Sequence, residues 1–280
     1  MPTTIRLKAS SSNACSRKLT DTIRATRHHT LGLVLALAMG AGTAHAQIGQ
    51  HRNNLAVGVN GGYVMSNITF DPSVSQGWHG GITGGLSARY TSEKYFSTIC
   101  SIAAEINYAK IGWKEDIRDI NDQPVIDPSS GLAQEYSRTI NYIQIPVFAH
   151  LAWGREERGF NFFFNAGPQI GFYLSESTSA NFNVNDEIAR IHEGTSNRSN
   201  QTIEQDTMAV ENKIDYGIAA GIGVEYSHPK VGHLLLEARY YYGLGDIYGS
   251  SKRDFFGTSR FGNIVIKASY LFDIAKTKKK

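Results

Sequence analysis

The stretch FNFFFNAGPQIGFYLS (residues 160–175) alternates large apolar residues with small or polar ones over the length of a strand. Successive side chains of a β-strand point to opposite faces, so this alternation predicts one apolar and one polar face. The apolar face holds Phe160, Phe162, Phe164, Ala166, Ile170, Phe172 and Leu174, and the polar face holds Asn161, Asn165, Gly167, Gln169, Gly171 and Ser175. Residues 214–226 repeat the pattern, which indicates a largely β-structured chain.

Eight segments show this alternation. The predicted strands are residues 55–66, 80–91, 99–113, 139–153, 160–175, 213–226, 233–244 and 262–272. The pattern slips near Lys110, where we expect a β-bulge or the exit from the membrane. Pro146 and Pro168 lack the N–H group that a ladder uses, so we expect a bulge or widened pairing at each. The fold class that follows is all-β.

The connections between the predicted strands alternate in length. The long ones are 67–79, 114–137, 176–212 and 246–261, and the short ones are 92–97, 154–159 and 227–232. Aromatic residues mark the turn-side ends (Tyr90, Trp153, Phe160, Tyr226, Tyr270, Phe272) and the loop-side ends (Tyr63, Tyr108, Phe172, Tyr216, Tyr242). Both features are typical of outer-membrane barrels. We therefore predict an eight-stranded antiparallel outer-membrane β-barrel rather than a soluble sandwich, which would share only the alternation.

The N-terminal region has the features of a cleavable signal peptide. Basic residues precede the apolar run 31–39, and Ala44-His45-Ala46 is an A-x-A cleavage site. We expect a signal peptide (1–46), a short periplasmic segment (47–54), the barrel with long extracellular loops (55–272) and a basic periplasmic tail (273–280). Cys15 would leave with the leader, so Cys100 would have no disulfide partner within the mature chain. These features predict the outer membrane of a Gram-negative-type bacterium.

The charge balance gives no indication of nucleic-acid binding. The sequence has 28 Lys and Arg against 25 Asp and Glu, and removal of the leader would leave 22 against 24. The partners expected instead are outer-membrane lipid and lipopolysaccharide, the barrel assembly machinery during biogenesis, and an unidentified envelope protein.

Seven charged residues lie at the alternate strand positions that are predicted to face the barrel interior. They are Arg89, Glu105, Asp215, Glu225, Glu237, Arg239 and Lys267. Eight strands enclose room for side chains but not for an aqueous channel, and buried charges need partners. Because Glu105, Arg239 and Lys267 lie at similar heights, we expect them to form the centre of a plug of ion pairs. A proton or ion path through the same residues is the functional alternative.

No pattern indicates a catalytic site, a cofactor or a metal ion. His150 and His233 lie on predicted strands but have no Cys, Asp or Glu at ligand spacing. The glycine-rich residues 217–223 lack the strand–loop–helix context of a phosphate site. His79 and His192 lie in predicted loops near Ser and Asp, which leaves an outer-membrane lipase, deacylase or protease as a minor alternative.

Five motifs, in order along the chain, resemble those of the PorT-like family of small outer-membrane β-barrels. AEINYAKIG (104–112) is similar to its ELxYSxKG strand, NYIQIPV (141–147) to YLEIPLL, and NAGPQIG (165–171) to xAGPYVGY. IDYG (214–217) with AAGIGVE (219–225) is similar to DxGxxxGxGxE, and EARY (237–240) through GL (243–244) to xARYxYGL. The resemblance implies an eight-stranded barrel without a catalytic signature. The family's namesake is associated with protein secretion across the outer membrane, and that role is not carried over to this chain.

The leading functional prediction is a non-enzymatic barrel with a structural, accessory or surface-binding role exerted through its extracellular loops. Residues 176–212 are the longest stretch without a helical or strand period, and loops of this kind often carry binding surfaces. A narrow pore for small solutes is the first alternative, and an outer-membrane enzyme is the second.

Overall fold

The computed structural model describes residues 50–155, 158–249 and 255–276. The predicted signal peptide and the terminal lysines Lys278–Lys280 lie outside these ranges. Within them, no helix is long and apolar enough to cross a membrane.

Eight long antiparallel strands form a closed ring. They are β1 (Gln50–Asp71), β2 (His79–Tyr95), β3 (Thr98–Glu115), β4 (Tyr136–Gly154), β5 (Gly159–Ala180), β6 (Ile214–His228), β7 (Gly232–Gly243) and β8 (Thr258–Ala275). Each strand pairs with its neighbours in sequence, and β1 pairs with β8 to close the ring. The eight-stranded all-β barrel predicted from the alternation is therefore confirmed.

Most strands are longer than the sequence pattern indicated. β1 and β5 each have 22 residues, whereas a membrane-spanning strand needs about 9–11. β1 begins before the predicted Leu55, and β8 continues to Ala275 in the segment predicted as a tail. The long loops are correspondingly shorter, because the hydrogen-bonded ladder continues beyond the apolar alternation that marks the membrane.

Alternate side chains along each strand point to the outer wall and to the lumen, as the sequence pattern predicts. Six residues on the apolar faces of the alternating segments are 38–66% exposed on the outer wall: Ile106, Val147, Phe164, Ile222, Leu236 and Ile266. This exposure confirms the register, because a slip of one residue would have turned all six inward.

The bulge expected near Lys110 is absent from the pairing of β3 with β4, and the alternative expectation, an exit from the membrane at this point, stays a prediction. The pairing of β3 with β4 keeps one register through Ala109–Tyr142, Lys110–Asn141 and Ile111–Ile140. Ile111 and Trp113 break the sequence alternation because they point inward, where both are buried. They belong to an apolar layer that fills the extracellular end of the barrel.

The two prolines interrupt the ladder without shifting its register. Beside Pro146, the pairs between β3 and β4 pass from Ala104–Val147 directly to Asn107–Gln144 in unchanged register. Beside Pro168, the pairs between β4 and β5 pass from Pro146–Gln169 to Ala149–Ala166. The missing N–H groups thus cost paired residues at both sites, and neither site has the bulge that was one of the two expectations.

The stretch 176–212, predicted as a loop without periodicity, is partly regular. β5 extends to Ala180, a helix α1 spans Val184–His192, and a 3-10 turn spans Glu204–Asp206. The side chain of Asn183 caps α1 by accepting a hydrogen bond from the backbone N–H of Asn185. A two-residue strand, Gln76–Gly77, pairs with the extracellular end of β3.

Candidate functional site

Four of the seven predicted interior charges meet at the middle of the barrel. The Arg239 guanidinium donates to both carboxylate oxygens of Glu105, at 3.0 Å each. It also donates to Glu237, at 3.0 and 2.9 Å. Lys267 contacts Glu105 and lies 3.7 Å from Glu237. Two acids and two bases therefore balance one another within one buried quartet.

A polar shell surrounds this quartet. Asn107 donates to Glu105 at 2.8 Å and accepts a hydrogen bond from Asn60 at 2.8 Å. On the other side, Asn165 donates to Glu237 at 3.1 Å. Each amide donates to a carboxylate oxygen that Arg239 also contacts, so these oxygens accept two hydrogen bonds, which helps to satisfy the buried charge.

A second ion pair crosses the lumen nearer the periplasmic end. Arg89 on β2 donates to Glu225 on β6 at 2.6 and 2.9 Å. β2 and β6 are four strands apart in a ring of eight, so this pair spans the full diameter. His150 lies 3.5 Å from Arg89 and bonds Asn165 at 2.7 Å, which links this level to the central quartet.

The seventh charge, Asp215, stands apart from the other six. It faces inward as predicted and accepts a hydrogen bond from Tyr241 at 2.6 Å, toward the extracellular end. The predicted cluster is therefore a quartet, a separate pair and a single hydrogen-bonded carboxyl group.

A Ser–His–Asp arrangement lies at the periplasmic rim. His233 Nδ1 is 2.9 Å from Ser227 Oγ and 2.6 Å from Glu225 Oε1, and His233 Nε2 is 3.2 Å from Asp273. Each ring nitrogen of His233 thus lies close to a carboxylate. Ser227 itself donates to Glu225 at 3.0 Å, so its single hydroxyl proton is directed at a carboxylate. The arrangement is a hydrogen-bonded network of polar and charged side chains at the barrel's end.

These contacts have no signature in the sequence, for one reason. His150 and His233 have inward parity, but their partners come from other strands and cannot be found by local ligand spacing. The hollow beside them is about 40 Å³, which has room for only a few water molecules. Among the described residues, no group of three His, Cys, Asp or Glu side chains is placed to hold a metal ion.

The extracellular mouth is covered by residues 116–135 and 181–213, which we call the cap. Arg198 lies at its centre, buried, 3.3 Å from Glu115 on β3 and bonded to Gln134 at 3.0 Å. Its guanidinium also lies 4.9 Å from the Phe182 ring centre and 3.7 Å from Glu187 of α1. One arginine thus joins both parts of the cap to the barrel.

A second arginine fixes the cap from below. Arg138 on β4 donates to the backbone carbonyls of Gln205, at 3.0 Å, and of Met208. It lies 3.1 Å from Glu176 and stacks over the Trp113 ring at 5.6 Å. Backbone carbonyls of a turn are therefore held by a strand side chain, which explains how a segment without sequence periodicity becomes ordered.

Two acidic side chains are buried under the cap. Burial raises the pKa of Glu115 to about 7 and that of Asp206 to about 8, and for Asp206 the negative charge of Glu115 adds to the effect. Both carboxylate oxygens of Asp206 lack a hydrogen-bond donor among the described residues. The cap therefore contains a group whose charge state depends on pH near neutrality.

Comparison with known proteins agrees with the barrel architecture. Residues 45–249 match the family model described as outer membrane protein beta-barrel domain. No curated protein is significantly similar in sequence.

Several solved outer-membrane proteins are similar in structure. Neisserial surface protein A has 12% identity and a TM-score of 0.38, over 80% of this chain and 100% of that one. Ail, the attachment invasion locus protein of Yersinia pestis, has 16% identity and a TM-score of 0.31, over 78% and 98%. OprG of Pseudomonas aeruginosa has 12% identity and a TM-score of 0.34, over 79% and 97%. The family match covers well over half of the sequence, so the chain belongs to the outer membrane protein beta-barrel domain family and is a protein of the bacterial outer membrane.

Proposed function

We propose that this protein is a non-enzymatic surface protein of the outer membrane, which binds a partner through its extracellular cap while its lumen is a closed plug. The observation that carries the proposal is the contrast between the two regions. Six of the seven interior charges are paired with one another inside the lumen, whereas the cap exposes apolar side chains and carries more acidic than basic residues.

The exposed side chains of the cap support a binding role. Ile120, Ile126 and Leu132 are 89%, 54% and 62% exposed, on a segment braced by the bridge between Ile126 and Ala133. The cap segment 116–135 carries five acidic residues and one basic residue, and 181–213 carries six and three. Such a surface is suited to a partner with apolar and basic groups, and it would repel polyanions.

We also propose a more specific family relationship and the partners of the protein. The five motifs support a place among PorT-like members of the family, and a closed barrel of this kind would require the barrel assembly machinery for insertion. An envelope protein is the partner class that we favour for the cap, because the cap is firmly held to the barrel and presents a fixed surface.

Two measurements test the proposal. A photo-crosslinking residue at Leu132 in intact cells should give a discrete adduct, and Ile120→Asp with Ile126→Asp should abolish it. The same crosslinker at Phe96, which is 93% exposed at a periplasmic turn, is the matched control and should not give that adduct. An adduct at Leu132 that persists when Ile120 and Ile126 are both replaced by Asp would contradict the surface role.

The second measurement separates the plug from a pore. Purified protein in planar bilayers should show no steady conductance, because two levels of ion pairs cross the lumen. A stable conductance that changes in Glu105→Gln would favour the narrow pore instead.

A further inference from the structure

The outer wall of the barrel has a hollow of about 190 Å³ where β1, β7 and β8 meet at their extracellular ends. We call it the outer-wall hollow. It is smaller than a typical drug-sized pocket of about 300–1,000 Å³, so it suits a single ring-sized group.

A glycine forms the floor of the outer-wall hollow. Gly262 pairs with Asn67 on β1 and with Tyr242 on β7. A Cβ atom at Gly262 would lie 2.9 Å from Asn67 Oδ1 and 3.4 Å from the hydroxyl of Tyr240. A side chain at this outward-facing position would therefore displace both polar groups and intrude on the hollow.

Aromatic rings form the walls. Trp78, Tyr240 and Tyr242 border the hollow and are each about half exposed. Their rings present flat apolar surfaces with polar edges, the type of surface that packs against the C–H face of a sugar ring. The hydroxyls of Thr69 and Thr258 and the amide of Asn67 border the same space and can hydrogen-bond a ligand.

A cation lies on the extracellular side of these rings. Arg260 is two residues beyond Gly262 in β8, toward the cell exterior, and pairs with Thr69 on β1. Its Nε is 3.5 Å from Asp246, and its guanidinium makes no hydrogen bond to another described residue. A planar guanidinium of this kind binds a phosphate through two parallel hydrogen bonds.

The level of the hollow in the membrane identifies the source of the ligand. Tyr240 and Tyr242 belong to the aromatic residues at the extracellular interface, so Arg260 lies at the height of the outer-leaflet headgroups. We propose that the outer-wall hollow binds a phosphorylated sugar headgroup of an outer-leaflet glycolipid, of the lipopolysaccharide class. The sugar ring packs on Tyr240, Tyr242 and Trp78, and its phosphate binds Arg260.

This proposal is independent of the role of the cap and rests on the outer-membrane location. It is tested by native mass spectrometry of the detergent-purified protein, titrated with a lipid A-type glycolipid and, separately, with phosphatidylglycerol. Phosphatidylglycerol carries a phosphate but no sugar ring. The wild type should bind the glycolipid about tenfold more tightly, because only the glycolipid uses both the rings and the guanidinium.

Two variants and two controls locate the binding. Arg260→Gln should weaken glycolipid binding about tenfold, and Gly262→Leu should remove the preference by filling the hollow. The matched controls are Arg118→Gln, in the cap, and Gly61→Leu, at an outward-facing glycine with open space at its Cβ position. Neither control should alter binding.

The outcomes decide the proposal in both directions. Equal affinity for the two lipids, or binding that survives Arg260→Gln unchanged, would overturn it. If Gly262→Leu fails to fold in a heat-modifiability gel, the surface substitution Arg260→Gln decides alone.

Discussion

Glu105 and Arg239 lie on β3 and β7, which are four strands apart in the ring of eight, and their side chains meet across the lumen through two hydrogen bonds of 3.0 Å. Arg89 and Glu225, on β2 and β6, repeat this relationship at a second level. A ring this narrow brings opposite walls within reach of two side chains. The same contacts that pair the buried charges therefore also hold opposite sides of the barrel together.

Glu105→Gln should destabilise the barrel substantially. The change leaves Arg239 and Lys267 with Glu237 as their remaining anion, and breaking a buried ion pair typically costs about 3–5 kcal/mol. Urea unfolding, followed by heat-modifiable gel mobility, measures the loss. Asp215→Asn is the control and should cost less, because Asp215 contacts Tyr241 and no cation. Equal losses in the two variants would contradict the importance of the cross-lumen pair.

Phe164→Arg should impair insertion much more than Phe172→Arg. Both phenylalanines face outward on β5, but Phe164 is closer to the bilayer midplane, where an arginine costs about 2–4 kcal/mol against about 0–1 near the interface. The fraction of folded barrel after refolding into lipid vesicles gives the comparison. A similar fraction for both variants would contradict the assigned depth.

Asn165, the neighbour of Phe164 in β5, faces the lumen, and the lumen is filled at this position. Its side chain bonds His150 and Glu237 and is almost fully buried. Asn165→Arg should therefore also destabilise the barrel, by overpacking the interior and adding an unpaired cation. Urea midpoints for this variant well below that of the wild type would support a filled lumen.

Replacing residues 176–212 by a short glycine-serine linker should leave a membrane-inserted barrel of lower stability. The ladder between β5 and β6 begins at Phe172–Ile214, so the ring closes without this stretch, which contributes only the last five residues of β5 and their pairing with β4. The deletion nevertheless uncovers Trp113 and Tyr136, which are fully buried in the wild type. A lower urea midpoint with retained heat-modifiability is the expected result, and failure to insert would show that the stretch is needed for assembly.

The cap should open more readily as the pH rises. In the open cap the Asp206 carboxyl has its ordinary pKa of 3.8, whereas in the closed cap burial and the negative charge of Glu115 raise its pKa to about 8, against the opposing effect of Arg198 and Arg138. Between these values the closed form holds a proton that the open form releases. Closure therefore weakens from about pH 4 to pH 8, by up to about tenfold in the opening constant per pH unit.

Hydrogen exchange of the α1 amides between pH 5 and 8, corrected for the intrinsic rates, measures this opening. Asp206→Asn should reduce the pH dependence, because the amide does not titrate, and Glu115 remains as the other buried acid under the cap. Asp186→Asn, at an exposed position of α1, should leave it unchanged. A steep dependence that persists in Asp206→Asn would assign the effect to another group.

The sequence alone determined the strands, their facing and the ring of eight. Lipid requires apolar side chains on the outer face and the lumen accepts polar ones on the inner face. The alternation in residues 160–175 and in the other predicted strands therefore specifies which residues face each side. The inward position of Glu105, Arg239 and Lys267 follows from the same parity. These properties are local, since each depends on residues within one strand.

Tertiary structure decided the rest, because it depends on which distant residues the closed ring brings together. In the sequence, Ile111 and Trp113 interrupt the alternation. In the structure they pack beneath the cap, in the apolar interior of the part of the barrel that projects above the membrane. His233 acquires Asp273 from β8, and residues 181–213 become ordered through Arg138 and Arg198. None of these contacts has a period or a spacing in the sequence, since each joins residues from different elements that only the closed barrel places side by side.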